Sequence, residues 1–288
     1  MGASSILTNT GAMVALQTLN RTSKDLQTVQ DRISTGMKVA TAKDNSSYWG
    51  IATTMKADVS ALKALNENIS INAATVQTAR VGTENIQNLL SQVKSQLALA
   101  TTASVDHSKI TAELTSLQNQ ITNTINAASY NGENLLNNTT ARTLVVSINR
   151  SATGISAVTD SVSGVDLTAV ATAVGGYVTA ITGGADAAAK AAAANTALTD
   201  ATTGVEAQIT TVVNAASSFG NIGKRLELQA DFTSKLIDSL NEGIGTLVDA
   251  NLNEESARLQ ALQVQQQLGI QALSIANGAP QNILSLFR

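Results

Sequence analysis

Few residues of this sequence could carry out chemistry by their type and spacing. His107 is the single histidine, so a two-histidine zinc motif cannot form, and a Ser-His-Asp triad would depend on that one ring. It comes just before a predicted helix, which favours a solvated loop position or a helix start. The chain has no cysteine and therefore no disulfide framework and no thiolate metal site. We expect no catalytic, cofactor or metal site, and hence no enzyme.

Two further groups have a chemical and a structural interpretation. The carboxylates of Glu254 and Glu255 could act as an acid–base pair, but Glu254 lies four residues before Arg258, a spacing typical of an ion pair along one helix. Tyr48 and Trp49 could form a binding patch, although one such pair in a connecting segment is more often a packing plug. We expect the structural interpretation in both cases.

Composition favours helices with narrow seams. Of the 288 residues only 2% are aromatic and 14% charged, and the net charge is -3. Small and mid-sized aliphatic side chains suit long packed helices. The charge balance gives no basic surface for nucleic acid. Residues 1–20 and 259–287 carry no charged side chain, but frequent polar residues make them poor signal-peptide or transmembrane segments, so we expect no membrane insertion.

Apolar residues recur every seven positions over two long stretches, a pattern typical of a coiled coil. Residues 110–128 between them follow three-and-four spacing, which predicts a shorter helix that folds back. We expect a mainly α fold with a long antiparallel helical coiled-coil rod formed by the N- and C-terminal regions. The rows lie at Leu62, Ile69, Val76, Thr83, Leu90 and Leu97; at Leu65, Asn72, Ala79, Ile86, Val93 and Ala100; and at Leu198, Val205, Val212, Phe219, Leu226, Thr233, Leu240 and Leu247.

The heptad pattern is interrupted at residues 139–194. Leu144, Val146 and Ile148 alternate with their neighbours as in a strand, and repeated glycines divide the rest. This predicts a small strand-containing central insert. The alanine-rich run 187–194 is expected to begin the descending helix.

Both charge-free ends carry helical stripes of aliphatic residues, and the C-terminal helix is apolar on more than one side. One N-terminal helix could cover it only in part. We hypothesise that both ends are disordered in the single chain and fold when subunits associate. Pro280, the only proline, is expected to end the last helix and begin a separate tail. The predicted core-packing residues are Leu19, Leu26, Ile33, Leu259, Leu262, Leu268, Ile270, Leu273, Ile275, Ile283 and Leu284.

Several runs of residues follow the pattern of one family. The C-terminal runs are EESARLQALQ at 254–263, QQLG at 266–269 and APQNIL at 279–284. Nearer the start are ISTGMKV at 33–39 and AKDN at 42–45, with Tyr130-Asn131-Gly132 after the short helix. These runs closely resemble those of bacterial flagellins. The resemblance covers both terminal regions and leaves the insert outside.

The resemblance implies a structural subunit that polymerises with itself into the flagellar filament for swimming motility. It implies an inner core domain from residues 1–42 and 252–288, a helical rod domain from 43–138 and 195–251, and an outer variable domain from 139–194. It also implies export to the extracellular flagellum without a cleaved Sec signal peptide. The implied partners, besides the chain itself, are a flagellar export chaperone, the filament cap and the hook-filament junction proteins.

The resemblance also marks a patch on the first long helix. In enterobacterial flagellins this patch is read by the toll-like receptor that senses flagellin, and here it corresponds to Gln92, Val93, Lys94, Ser95 and Gln96. Gln92 replaces an arginine, whose planar fork an amide cannot reproduce. We expect weak activation of that receptor.

Two other functions fit parts of the sequence. A hook-filament junction protein would share the terminal architecture, although the ending at residues 280–288 favours a filament subunit. A flagellin-like surface adhesin or enzyme would carry its activity in the insert, which offers acidic and basic residues but no histidine.

Overall fold

A computed structural model describes residues 9–151 and 154–285. These residues form seven helices and two small antiparallel sheets, as the mainly α prediction requires. They divide into two compact units, one containing the described residues up to Val59 and from Asp238 onward, the other containing Ser60–Ile237. The helices are α1 (Thr10–Thr35), α2 (Ser46–Ala100), α3 (His107–Ala127), α4 (Thr168–Thr182), α5 (Ala187–Thr199), α6 (Val205–Val248) and α7 (Leu252–Ser285); the strands are β1 (Ser129–Tyr130), β2 (Glu133–Asn134), β3 (Ala141–Ser151) and β4 (Gly154–Ser163).

The heptad rows form the core of the Ser60–Ile237 unit. On α2 nearly every row position from Leu62 to Ala100 is buried, and on α6 the same holds from Val205 to Thr233. The two helices face each other at Gly223, where an added methyl group would lie at an ordinary contact distance of 3.9 Å from Val76 Cγ1. The predicted long helical segments are therefore confirmed in the described part of the chain.

The short helix α3 begins and ends as its sequence indicates. Asp106 caps it by accepting hydrogen bonds from the backbone amides of Ser108 and Lys109, and hydrogen bonds to Ser108 and Lys109 lower the pKa of the exposed carboxyl. After α3, β1 and β2 pair through a tight turn at Asn131 and Gly132, whose φ values are 51° and 81°. Two consecutive left-handed residues are the requirement of the commonest hairpin turn.

The central insert is only partly made of strands. β3 and β4 pair antiparallel from Ala141↔Ser163 to Ser151↔Gly154, with a bulge after Val145, so the predicted strand is present. The glycine-divided segment beyond it is helical rather than irregular, because Val170, Val174, Tyr177 and Ile181 form one buried helical stripe on α4.

The alanine-rich run does not begin the descending helix, and that expectation was wrong. It forms a separate helix, α5, which ends at Thr199. The side chain of Asp200 accepts hydrogen bonds from the amides of Thr202 and Thr203 at 2.7 and 2.8 Å. Because this turn satisfies backbone donors outside a helix, the chain breaks before α6.

The expectation that the last helix ends at Pro280 was also wrong, because α7 continues to Ser285. Proline has no amide hydrogen, so the carbonyl four residues earlier, that of Ala276, has no donor within the helix. The side-chain amide of Asn9 donates a hydrogen bond to this carbonyl at 2.7 Å. A partner from outside the helix therefore replaces the bond that proline removes.

Candidate assembly surface

Helices α1 and α7 lie against each other in antiparallel order. Asn9, before the start of α1, meets Ala276 near the end of α7, and Arg32 near the end of α1 meets Glu255 in the first turn of α7. The Arg32–Glu255 distance is 3.0 Å, and the Glu255 side chain is only 10% exposed. This pair replaces the predicted one between Glu254 and Arg258 as the ion pair of this helix.

The chain segments that follow α1 and precede α7 are joined by backbone hydrogen bonds. Gly36 ends α1 in a left-handed conformation with φ of 71°. The amide of Lys38 then donates to the carbonyl of Val248 at 2.7 Å, and the amide of Ala250 donates to the carbonyl of Gly36 at 2.8 Å. Since backbone bonds do not depend on side chains, they fix the connection between α6 and α7 beside the end of α1.

The predicted core-packing residues fall into three groups. Leu262 is buried, and five others are half-buried along the α1–α7 seam: Leu19, Leu26, Ile33, Leu259 and Leu273. Leu268, Ile270 and Ile275 are exposed by 59%, 54% and 75%. The side chains of Ile283 and Leu284 lie outside the described residues.

The two helices present apolar side chains outward as well as toward each other. The exposed set comprises Met13, Val14, Leu16, Leu252, Val264, Leu268, Ile270 and Ile275. Exposed aliphatic side chains along both helices are a feature typical of protein-interaction surfaces.

The receptor-equivalent patch on α2 is split between surface and core. Val93 is fully buried, whereas Gln92 and Ser95 are exposed and Gln96 is half-buried. Lys94 makes an ion pair of 2.8 Å with Glu206 of α6. Weak receptor activation stays a prediction.

The residues considered for chemistry are in structural positions. His107 is buried rather than solvated, with Nε2 2.9 Å from the carbonyl oxygen of Ala100. Tyr48 and Trp49 are exposed, so the expected packing plug is not formed within the single chain. Among the described residues, no cluster of His, Cys, Asp or Glu could hold a metal ion. In the same residues, no helix has the length and apolarity needed to cross a bilayer.

Two family models match the chain over most of its length. Residues 6–141 match the bacterial flagellin N-terminal helical region, and residues 202–287 match the bacterial flagellin C-terminal helical region. The chain belongs to the bacterial flagellin family. This flagellin is accordingly a structural subunit that polymerises into the flagellar filament, outside the cell. The models leave out residues 142–201, which contain β4, α4, α5 and all of β3 except its first residue.

Full-length relatives agree with this assignment. The chain is 43% identical to a flagellin of Brucella melitensis and 38% identical to flagellin C of Rhizobium meliloti, in each case over 99% of both chains. Flagellin FljK of Caulobacter vibrioides is 37% identical over the whole of both chains. A structure described as a flagellar hook-associated protein of Vibrio parahaemolyticus covers 72% of this chain with a TM-score of 0.56; at 14% identity it shows the fold alone.

Sequence reasoning missed the two polar contacts that join α1 and α7. The signals were present, since Asn9 is a typical helix-capping residue and Pro280 interrupts a helical pattern. Neither signal identifies its partner, because Asn9 and Ala276 are separated by 267 positions.

Proposed function

We propose that the α1–α7 pair is the element through which this flagellin polymerises, forming the innermost layer of the filament. In this arrangement residues 1–42 and 252–288 make the core domain, and residues 43–138 and 195–251 make the helical layer around it. Residues 139–194 form the outer variable domain.

The outward stripe of α7 carries this proposal. After α1 has covered Leu259, Leu262 and Leu273, the side chains of Leu268 and Ile275 remain exposed in the single chain. Covering such a side chain contributes about 1.5–3 kcal/mol. A second copy of the chain, placing a different surface on this stripe, would make a heterologous contact, and repetition of that contact gives an open helical polymer.

The remaining parts of the proposal follow from the family. We expect a secretion chaperone on the C-terminal helix, a distal cap that guides folding, and junction proteins at the filament base. Export would use an uncleaved N-terminal signal. We also expect no catalytic activity, no nucleic-acid partner and no membrane insertion.

The test is seeded elongation by purified chains. Ile275→Ser removes an exposed apolar side chain from α7, and Gln271→Ser is the control, since it changes an exposed polar residue on the same helix. We expect Ile275→Ser to raise the subunit concentration left in solution at the plateau about tenfold, because the lost burial is about 1.5 kcal/mol. Gln271→Ser should change it less than about twofold.

A chain lacking residues 1–40 and 252–288 should not elongate seeds at all. Equal plateau concentrations for Ile275→Ser and wild type would remove the α7 stripe from the polymerisation surface. Elongation by the truncated chain would refute the terminal core as a whole.

A further inference from the structure

Pro280 creates a defined defect within α7. The helix runs from Leu252 to Ser285, so the proline lies five residues before its described end. A proline inside a helix removes one backbone hydrogen bond and favours a kink or an end. The defect is the carbonyl of Ala276, whose usual donor, the amide hydrogen four residues later, is missing.

The side-chain nitrogen of Asn9 binds the Ala276 carbonyl, and its side-chain oxygen caps α1. Its Nδ2 donates to the Ala276 carbonyl at 2.7 Å, and its Oδ1 accepts from the amide of Ala12 at 3.0 Å. Reversing the side-chain amide would place oxygen against oxygen and nitrogen against a donor, so both contacts require the same orientation. Of the usual capping residues, aspartate has no donor, and serine and threonine have a shorter side chain with a single hydroxyl.

From these contacts we infer that Asn9 is a positioning residue for assembly. It fixes the register of α1 on α7 and allows α7 to continue as a helix through Pro280. This inference deepens the proposed function and rests on it, because the continued helix keeps residues 281–285 in the same helix as the rest of the proposed core domain.

The apolar residues between α1 and α7 do not by themselves fix the register of the two helices. Leu19, Leu26 and Ile33 recur at seven-residue intervals, so sliding α1 by one heptad would again place aliphatic side chains on the seam. Polar contacts inside an apolar seam specify register because a slipped arrangement leaves them unpaired. Asn9 provides this contact at one end of α1, and the Arg32–Glu255 ion pair provides it at the other.

A double-mutant cycle tests the inference. Asn9→Ser keeps a good capping residue but loses the amide donor, and Pro280→Ala restores the missing amide hydrogen to α7. The full-length wild type, both single variants and the double variant are added to wild-type filament seeds. The plateau concentration of soluble subunit is then measured, with Asn20→Ser, at an exposed position of α1, as the matched control.

We expect Asn9→Ser to raise the plateau concentration about tenfold in the wild-type background, because it leaves the Ala276 carbonyl without a partner. In the Pro280→Ala background the same substitution should change it less than about twofold, and Asn20→Ser should have little effect in either. Equal effects of Asn9→Ser in both backgrounds, or none in either, would overturn the inference. A general loss of helix stability would not be rescued at position 280.

Hydrogen exchange gives a second readout from the same proteins. In filaments, the peptide covering residues 277–288 should exchange faster in Asn9→Ser than in wild type, with protection restored by Pro280→Ala. Unchanged exchange in Asn9→Ser would count against the inference. If wild type itself does not elongate seeds, the proposed function fails. The cycle is then read from the exchange rate of the peptide covering residues 252–278 in the soluble chain at short labelling times, where non-additive effects of the two substitutions support the inference and additive effects overturn it.

Discussion

Buried polar side chains of this flagellin satisfy particular backbone carbonyls. His107 Nε2 donates to Ala100 across 7 positions of sequence, and the Tyr177 hydroxyl donates to Thr203 across 26 positions at 2.5 Å. The sequence predicted a helix start at His107 but no helix at Tyr177, and it identifies neither carbonyl, since these are placed by the packing of other segments. Solvated His107 was therefore a wrong expectation, although its position at a helix start was correct.

Tyr177 should make stability depend on alkaline pH. Burial, with the nearby charge of Asp200, raises the pKa of its hydroxyl from 10.0 to about 12. A raised folded pKa stabilises the protein fully below pH 10 and loses that stabilisation as pH rises through about 12. Tyr177→Phe should cost about 1 kcal/mol at neutral pH by removing the hydrogen bond, and its stability should fall less than that of wild type across this window.

Urea unfolding at several pH values measures this difference. Tyr130→Phe is the control because Tyr130 is exposed, and it should unfold as wild type does at neutral pH. Parallel stability curves for wild type and Tyr177→Phe above pH 10 would show that the hydroxyl is not held in its neutral form.

The sequence predicted helices well where the seven-residue pattern was regular. It predicted them less well where a glycine, which often ends a helix, lies inside one. Gly175 suggested a break, but it lies inside α4, where a methyl group would come within 2.5 Å of Gln118 Nε2 on α3. Glycine there leaves room for the Gln118 side chain and does not mark a turn. On α7 the sequence predicted core packing for both Leu262 and Ile270, yet the separation of eight residues between them rotates a side chain by about 80°, enough to leave Ile270 exposed.

Two Gly→Ala substitutions should have opposite effects on stability. Gly132 has φ of 81° with open space around it, so an alanine there is strained by about 1–2 kcal/mol and should lower Tm. Gly176 also has open space but lies within α4, so alanine there should raise stability by about 0.5–1 kcal/mol. Calorimetry of the soluble chain compares them directly, and shifts of the same sign would contradict this account of either turn or helix.

At the scale of the whole molecule, the two units differ in how completely they bury their apolar residues. The fully buried large side chains, such as Phe219, Ile86 and Leu136, all come from the Ser60–Ile237 unit. The unit with both terminal helices leaves much of its aliphatic surface exposed. From the apolar stripes of α7 the sequence predicted that some aliphatic surface stays exposed. It did not predict which stripe α1 covers, because both stripes consist of similar residues.

This difference gives a prediction for the soluble chain. The peptides covering residues 10–35 and 252–278 should exchange amide hydrogens rapidly before assembly and at least about tenfold more slowly within filaments, because only neighbouring subunits complete their burial. The peptide covering 107–127 should be protected in both states and serves as the internal reference. Strong protection of both terminal peptides in the soluble chain would refute folding upon association.

The contact between Asn9 and Ala276 joins residues that are synthesised at very different times. A ribosome releases the first helix of this protein early, but the residues that receive it are among the last to be made. No partial chain can form this contact before residue 276 has been made. The surface that α1 and α7 form together is therefore incomplete until synthesis is nearly finished, so we expect a nascent chain not to associate through it.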